Sequence, residues 1–223
     1  MKRFRLFLIV ILIFILGCAM TAILWSASIR TYDAQTARLI QQADPALYRE
    51  DQGLIMTGEI QEKAFLFFPD DRIEPRSYIP LAWQLQPAAP SLINPLVFCS
   101  SALNRNFTDL ILERYPDTDF ILIAHGQGSR QAAAMAAAAP DQIAGLILLD
   151  AQENLSVAEV PTLILRSDPA CQSEAETVCL SQPADQTLLA LQNSEAGADT
   201  QAEARQKTAE IIFEWMRLHQ LTE

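Results

Sequence analysis

The sequence predicts an α/β fold, a mostly parallel sheet with helices on both faces, preceded by one N-terminal transmembrane helix. Three observations carry this. Short runs rich in Ile, Leu and Phe alternate with helical patterns through residues 52–223, the order that builds parallel sheets by right-handed crossovers. The runs are apolar at consecutive positions, as strands buried on both faces must be. Leu6–Trp25 is apolar apart from one threonine and follows Lys2, Arg3 and Arg5.

The N-terminal segment is long enough for a membrane span, since roughly 20 apolar residues cross a bilayer as a helix. Its basic flank belongs on the cytoplasmic side, which puts the rest of the chain outside the cytoplasm. Two other readings stay open: Ile15-Leu16-Gly17-Cys18 resembles a bacterial lipobox, with Cys18 lipidated, and Ser26-Ala27-Ser28 is compatible with cleavage and secretion. Continued hydrophobicity past Cys18 argues against the lipobox. The expected organisation is anchor or signal over residues 1–28, a polar stalk over 29–51 and one domain over 52–223.

Within the domain, strands are expected at Leu54–Thr57, Ala64–Phe68, Pro95–Phe98, Phe120–Ala124, Ala144–Leu149, Thr162–Arg166 and Thr187–Leu191. Helical patterns fall at Ser77–Leu85, Ala102–Arg114, Ser129–Ala139 and Thr200–Leu218, the last with Ile211, Ile212, Trp215 and Leu218 at helical spacing. There are no internal repeats, low-complexity tracts or Gly-rich phosphate loops.

The segment Ile121 to Ser129, ILIAHGQGS, reads as buried strand, sharp Gly-containing corner and helix start. With Lys63–Leu85 before it and the runs Pro140–Leu149 and Val160–Asp168 after it, this order resembles the α/β-hydrolase family, as a small membrane-anchored branch. The resemblance covers about two thirds of the chain. It implies a nucleophile elbow, Gly-x-Ser-x-Gly, at Ala124, His125, Gly126, Gln127 and Gly128. Gly126 stands where the serine is expected.

A serine hydrolase needs an oxygen nucleophile, a histidine base, an acid that orients it and two N–H groups for the oxyanion. The resemblance places the acid at Asp168, which is equally a turn former at a strand end. It places the histidine on the loop after the last strand, here Gln192–Asp199, which holds none. His125 precedes the corner, where the family's histidine packs under the turn without moving protons. His219, near the C-terminus, is favoured there by the helix dipole. Ser129 lies three positions past the corner and serves as a cap or first-turn residue; Ser100 and Ser101 have no base near them in sequence.

The family's oxyanion loop reads Pro-Gly-Gly, whereas this chain has Pro69-Asp70-Asp71. A carboxylate about 5 Å from a developing oxyanion opposes it by roughly 3 kcal/mol at an effective dielectric of 20. The bland alternative is that both side chains point to water and Asp70 or Asp71 simply forms a turn.

Charge excludes some partners. Past the basic cluster the chain carries 13 Lys and Arg against 27 Asp and Glu, a net of −14, which repels nucleic acid. Two histidines in the whole chain are too few for a transition-metal site, and no cofactor motif occurs. Cys171 and Cys179 are spaced for a disulfide or stand as unlinked thiols, and Cys99 reads as a buried thiol.

These features lead us to expect a membrane-tethered, extracytoplasmic protein of this fold without the serine mechanism, binding a small molecule or protein partner. An acidic fringe of Asp70, Asp71, Asp168 and Glu195 would suit a cationic ligand. The alternatives are an active esterase-like hydrolase using unorthodox residues, and a structural or interaction protein whose cleft is filled by its own side chains.

Overall fold

The computed structural model describes residues 2–28, 34–42, 49–51, 54–71, 73–93, 101–151, 155, 157, 160–166, 177–179 and 198–221. The chain divides into two units, Met1–Arg30 and Thr31–Glu223.

The first unit is one helix, α1 (Lys2–Ser28). Phe7, Ile13, Phe14, Ile23 and Leu24 are each more than half exposed on it, and Thr21 donates its hydroxyl to the Gly17 carbonyl at 2.7 Å. Among the described residues no helix is long and apolar enough to cross a membrane. For Leu6–Trp25 the structure gives helical backbone, with exposed apolar side chains at positions such as Phe7, Ile13, Phe14, Ile23 and Leu24.

In the second unit the described strands form one sheet. In chain order they are β1 (Arg49–Asp51), β2 (Leu54–Thr57), β3 (Lys63–Phe68), β4 (Ser91–Ile93), β5 (Asp119–His125), β6 (Ile143–Leu149), β7 (Thr162–Arg166) and β8 (Thr177–Cys179). Their spatial order is β1-β2-β4-β3-β5-β6-β7-β8. From β4 to β8 every pairing is parallel, and β1 and β2 add an antiparallel edge. The described helices of this unit are α2 (Ala34–Gln42), α3 (Ile79–Leu85), α4 (Ser101–Arg114), α5 (Gly128–Ala138) and α6 (Ala198–Leu218).

Alternate side chains of β3, β5, β6 and β7 feed two separate cores, which is why the interiors of these strands are apolar at consecutive positions. Phe65, Phe67, Ile121, Ile123, Ile147, Leu149, Leu163 and Leu165 pack against Leu81 and Leu85 of α3 and against Ile212, Trp215 and Met216 of α6. Leu66, Phe68, Leu122, Ala124, Leu146, Leu148 and Ile164 pack on the other face against Ile111 of α4 and against Ala132, Met135 and Ala136 of α5. The three α5 residues recur at i, i+3 and i+4, which places them on the one face of the helix that meets the sheet.

Several expectations need correction. Part of the span expected as a stalk packs with the domain: Arg49–Asp51 pairs with β2, and Ile40 of α2 packs against the α3–α6 core. Thr36, one turn before Ile40, is buried on the same helix. The helix expected from Ser77 is a 3-10 turn, Pro75–Tyr78, followed by α3. Asp199 and Ala198 open α6 instead of closing a loop. Strand β8 lies in the polar stretch where none was expected. The strands expected at Pro95–Phe98 and Thr187–Leu191 lie outside the described residues.

Candidate functional site

The corner after β5 sits at the carboxyl edge of the parallel strands, where open α/β sheets bind ligands. Strand β5 ends at His125, Gly126 turns the chain with φ +49°, and α5 starts at Gly128. Gly126 N–H donates to the Leu149 carbonyl at 3.0 Å, tying the corner to the end of β6, and Ser129 N–H donates to the Gly126 carbonyl at 3.2 Å. Left-handed φ of this kind favours glycine. Gly128 is required for a different reason: a Cβ there would run into the Phe68 carbonyl oxygen and come within 2.8 Å of the Pro69 oxygen. The start of α5 therefore lies directly against the end of β3.

That approach brings the loop after β3 over the corner. Asp70 carbonyl accepts from Ile73 N–H at 3.1 Å, closing a turn. Asp70 N–H donates to the Tyr78 hydroxyl at 3.1 Å. Its side chain reaches the elbow, where Oδ2 accepts from Gln127 N–H at 3.1 Å. A Cβ added at Gly126 would land on that same Oδ2, 3.0 Å from Asp70 Cγ. The Asp70 carboxylate thus occupies the place that a side chain at position 126 would take. Of the bland reading of this loop, the turn at Asp70 is observed, whereas the Asp70 side chain points to the elbow; Asp71 beside it is half-buried.

His125 is buried beneath the corner. Its Nδ1 lies 2.7 Å from the Tyr78 hydroxyl, with the two rings edge to face, 5.9 Å apart. Burial pushes the imidazole below its ordinary pKa, and the negative charges of Asp70 and Asp150 work against that shift. Burial likewise pushes the Tyr78 hydroxyl well above the usual phenol value. Neutral imidazole and neutral phenol are the forms that fit this pocket.

Ser129 is buried, and among the described residues its Oγ has no hydrogen-bond partner. Gln127 is the residue at the cap position of α5 and makes no side-chain cap bond, so Ser129 is a first-turn residue without a capping role. His219 is exposed just past the end of α6, its ring 5.0 Å from Trp215. Asp168, Cys171, Cys99, Ser100 and Glu195 lie outside the described residues, and with Cys171 so does the expected pairing to Cys179. Among the described residues no group of His, Cys, Asp and Glu is arranged to hold a metal ion.

Two residues at the site escaped the sequence reading. Tyr78 joins the Asp70 loop to His125, a link that only the tertiary fold creates. Asp150 follows β6 with φ +51°, and its N–H donates to the Leu165 carbonyl at 2.8 Å. A signal for it existed, because Leu149-Asp150 ends an apolar strand at the same sheet edge as the corner.

A surface hollow of about 920 Å³ lies elsewhere, lined by Gly58, Glu59, Lys63, Ala88, Phe213 and Leu221 among others. It faces the start of β3, the opposite end of that strand from Asp70, so it is separate from the corner.

A family profile described as alpha/beta hydrolase fold matches residues 87–207, just over half of the chain. Among solved structures, the chain is similar to the NocB thioesterase domain from the nocardicin cluster, at 11% identity and TM-score 0.54, covering 74% of this chain and 99% of that one. It is similar to a carboxylesterase from Mesorhizobium loti at 12% identity and TM-score 0.50, covering 77% and 99%. At these identities the likeness is one of fold. No curated protein matches the sequence.

Proposed function

Starting from the fact that the chain belongs to the α/β-hydrolase fold family, we propose that it is a non-catalytic member, tethered to a membrane by its N-terminal helix. Its domain faces away from the cytoplasm and acts by binding a partner. The observation that carries this reading is the corner itself. Glycine stands at the nucleophile position with φ +49°, and the volume a nucleophile would need is taken by Asp70. The histidine at hand, His125, is engaged with Tyr78 at Nδ1 and lies under the turn.

This favours a filled site over an open cleft for a small molecule. A protein partner is then the fitting ligand class, while nucleic acid is disfavoured by the net charge of −14 beyond the basic cluster. Tethering is supported by the apolar stretch Leu6–Trp25 and its flank of Lys2, Arg3 and Arg5. A Cys171–Cys179 disulfide would suit an oxidising compartment.

The test is direct. Full-length protein in detergent is treated with a fluorophosphonate probe and with short acyl esters. The expected result is neither labelling nor turnover above buffer. Stoichiometric labelling at Ser129, Ser100 or Ser101 would replace this reading with that of an active esterase.

A further inference from the structure

We propose that the Asp70 carboxylate is a built-in ligand of the elbow, an internal occupant that takes up the Gln127 N–H at the start of α5. This rests on Gly126 being the emptied nucleophile position. Three features on separate parts of the chain make the seat. The loop holds Asp70 by its own backbone, through Ile73 N–H at its carbonyl and the Tyr78 hydroxyl at its N–H. The corner supplies room, because position 126 has no Cβ to collide with Oδ2. The start of α5 supplies attraction, through Gln127 N–H at 3.1 Å and the positive end of the helix dipole.

Tyr78 makes the seat rigid. It is fully buried, hydrogen-bonds the Asp70 backbone on one side and meets His125 on the other. The residue before the corner therefore fixes, through Tyr78, the loop whose side chain fills the corner. An incoming carbonyl or carboxylate oxygen finds Gln127 N–H already satisfied and a negative charge in its way.

Removing the carboxylate should convert an internal site into one for a small external monocarboxylate, with acetate as the probe. In full-length Asp70→Ala, hydrogen exchange of the peptide containing Gln127 should quicken several-fold relative to the native protein and slow again in acetate, with chloride at equal ionic strength as control. The melting temperature should fall by several degrees and recover in acetate. The native protein should respond to neither salt. Asp70→Asn, which keeps an acceptor oxygen in place, should stay near native in both readouts and provides the comparison if the alanine variant does not fold.

Unchanged exchange at Gln127 in Asp70→Ala would overturn the proposal, as would an Asn variant that exchanges like an unfolded chain, or an equal acetate response in the native protein. Fluorophosphonate labelling of the native protein would remove the non-catalytic reading alone, so the two failures are distinguishable.

Discussion

Tyr78 and His125, 47 positions apart in sequence, meet in a buried hydrogen bond of 2.7 Å between the phenol oxygen and imidazole Nδ1. The bond links the loop after β3 to the end of β5, and it constrains how the protein responds to acid.

His125 has a lowered pKa in the folded state because burial penalises the imidazolium, so protonation favours the unfolded chain. Its contribution to stability is fully present above the unfolded value of about 6.5 and is lost as pH falls through that value towards the folded one. Stability should fall by up to about 1.4 kcal/mol per pH unit below pH 6.5. Denaturant midpoints at pH 7.5 and 5.5 should differ more in the native protein than in His125→Asn. Equal slopes in the two proteins would show that His125 charges without cost.

Gly126→Ser meets two costs: about 1–2 kcal/mol for a side chain at positive φ, and the expulsion of Asp70 from Gln127 N–H, a charge-assisted bond of about 1.5–3 kcal/mol. The single variant should lose roughly 2.5–5 kcal/mol. In an Asp70→Ala background only the backbone cost remains, so the double variant should be less destabilised than the sum by about 1.5–3 kcal/mol. Additive denaturation energies would mean that the two residues do not compete for one space. Neither variant should hydrolyse esters.

Gly128→Ala should destabilise by about 2–4 kcal/mol, because its methyl group meets backbone carbonyls that cannot rotate away. Gly17→Ala is the control, having nothing within 4 Å of its added Cβ. A thermal melt comparing the two settles whether the α5–β3 approach is as tight as described.

If α1 tethers the protein, it should stay in the membrane fraction through a carbonate wash, and protease added to intact cells should reach residues 31–223. Release by carbonate, or a mature N-terminus at Cys18 or near Ile29 found by mass spectrometry, would contradict the uncleaved anchor.

Much of the sheet was legible because strands buried on both faces are apolar at every position. Thr162–Arg166 and Leu54–Thr57 match their expected bounds, and β5 and β6 extend theirs by one or two residues. Strand β8, Thr177–Cys179, was not legible: three residues in a polar stretch carry too little pattern, and pairing to β7 alone defines them. Arg49–Asp51 was missed for a similar reason, since all three residues are charged and an edge strand needs no apolar face. At the corner, the glycine and the acidic loop could each be read locally. Their meeting could not, because it depends on β3 and β5 being adjacent parallel strands with Phe68 opposite Ala124, which brings the residues after each strand together.

That meeting makes the corner a one-way gate for sequence change. Serine introduced at 126 while Asp70 is present displaces a carboxylate and strains the turn; glycine introduced at 70 while Gly126 is present frees a donor with no nucleophile beside it. Each single step costs stability, and on the non-catalytic reading neither yields chemistry. Positions 70 and 126 are thus coupled, because the side chain that either one can carry depends on the residue at the other.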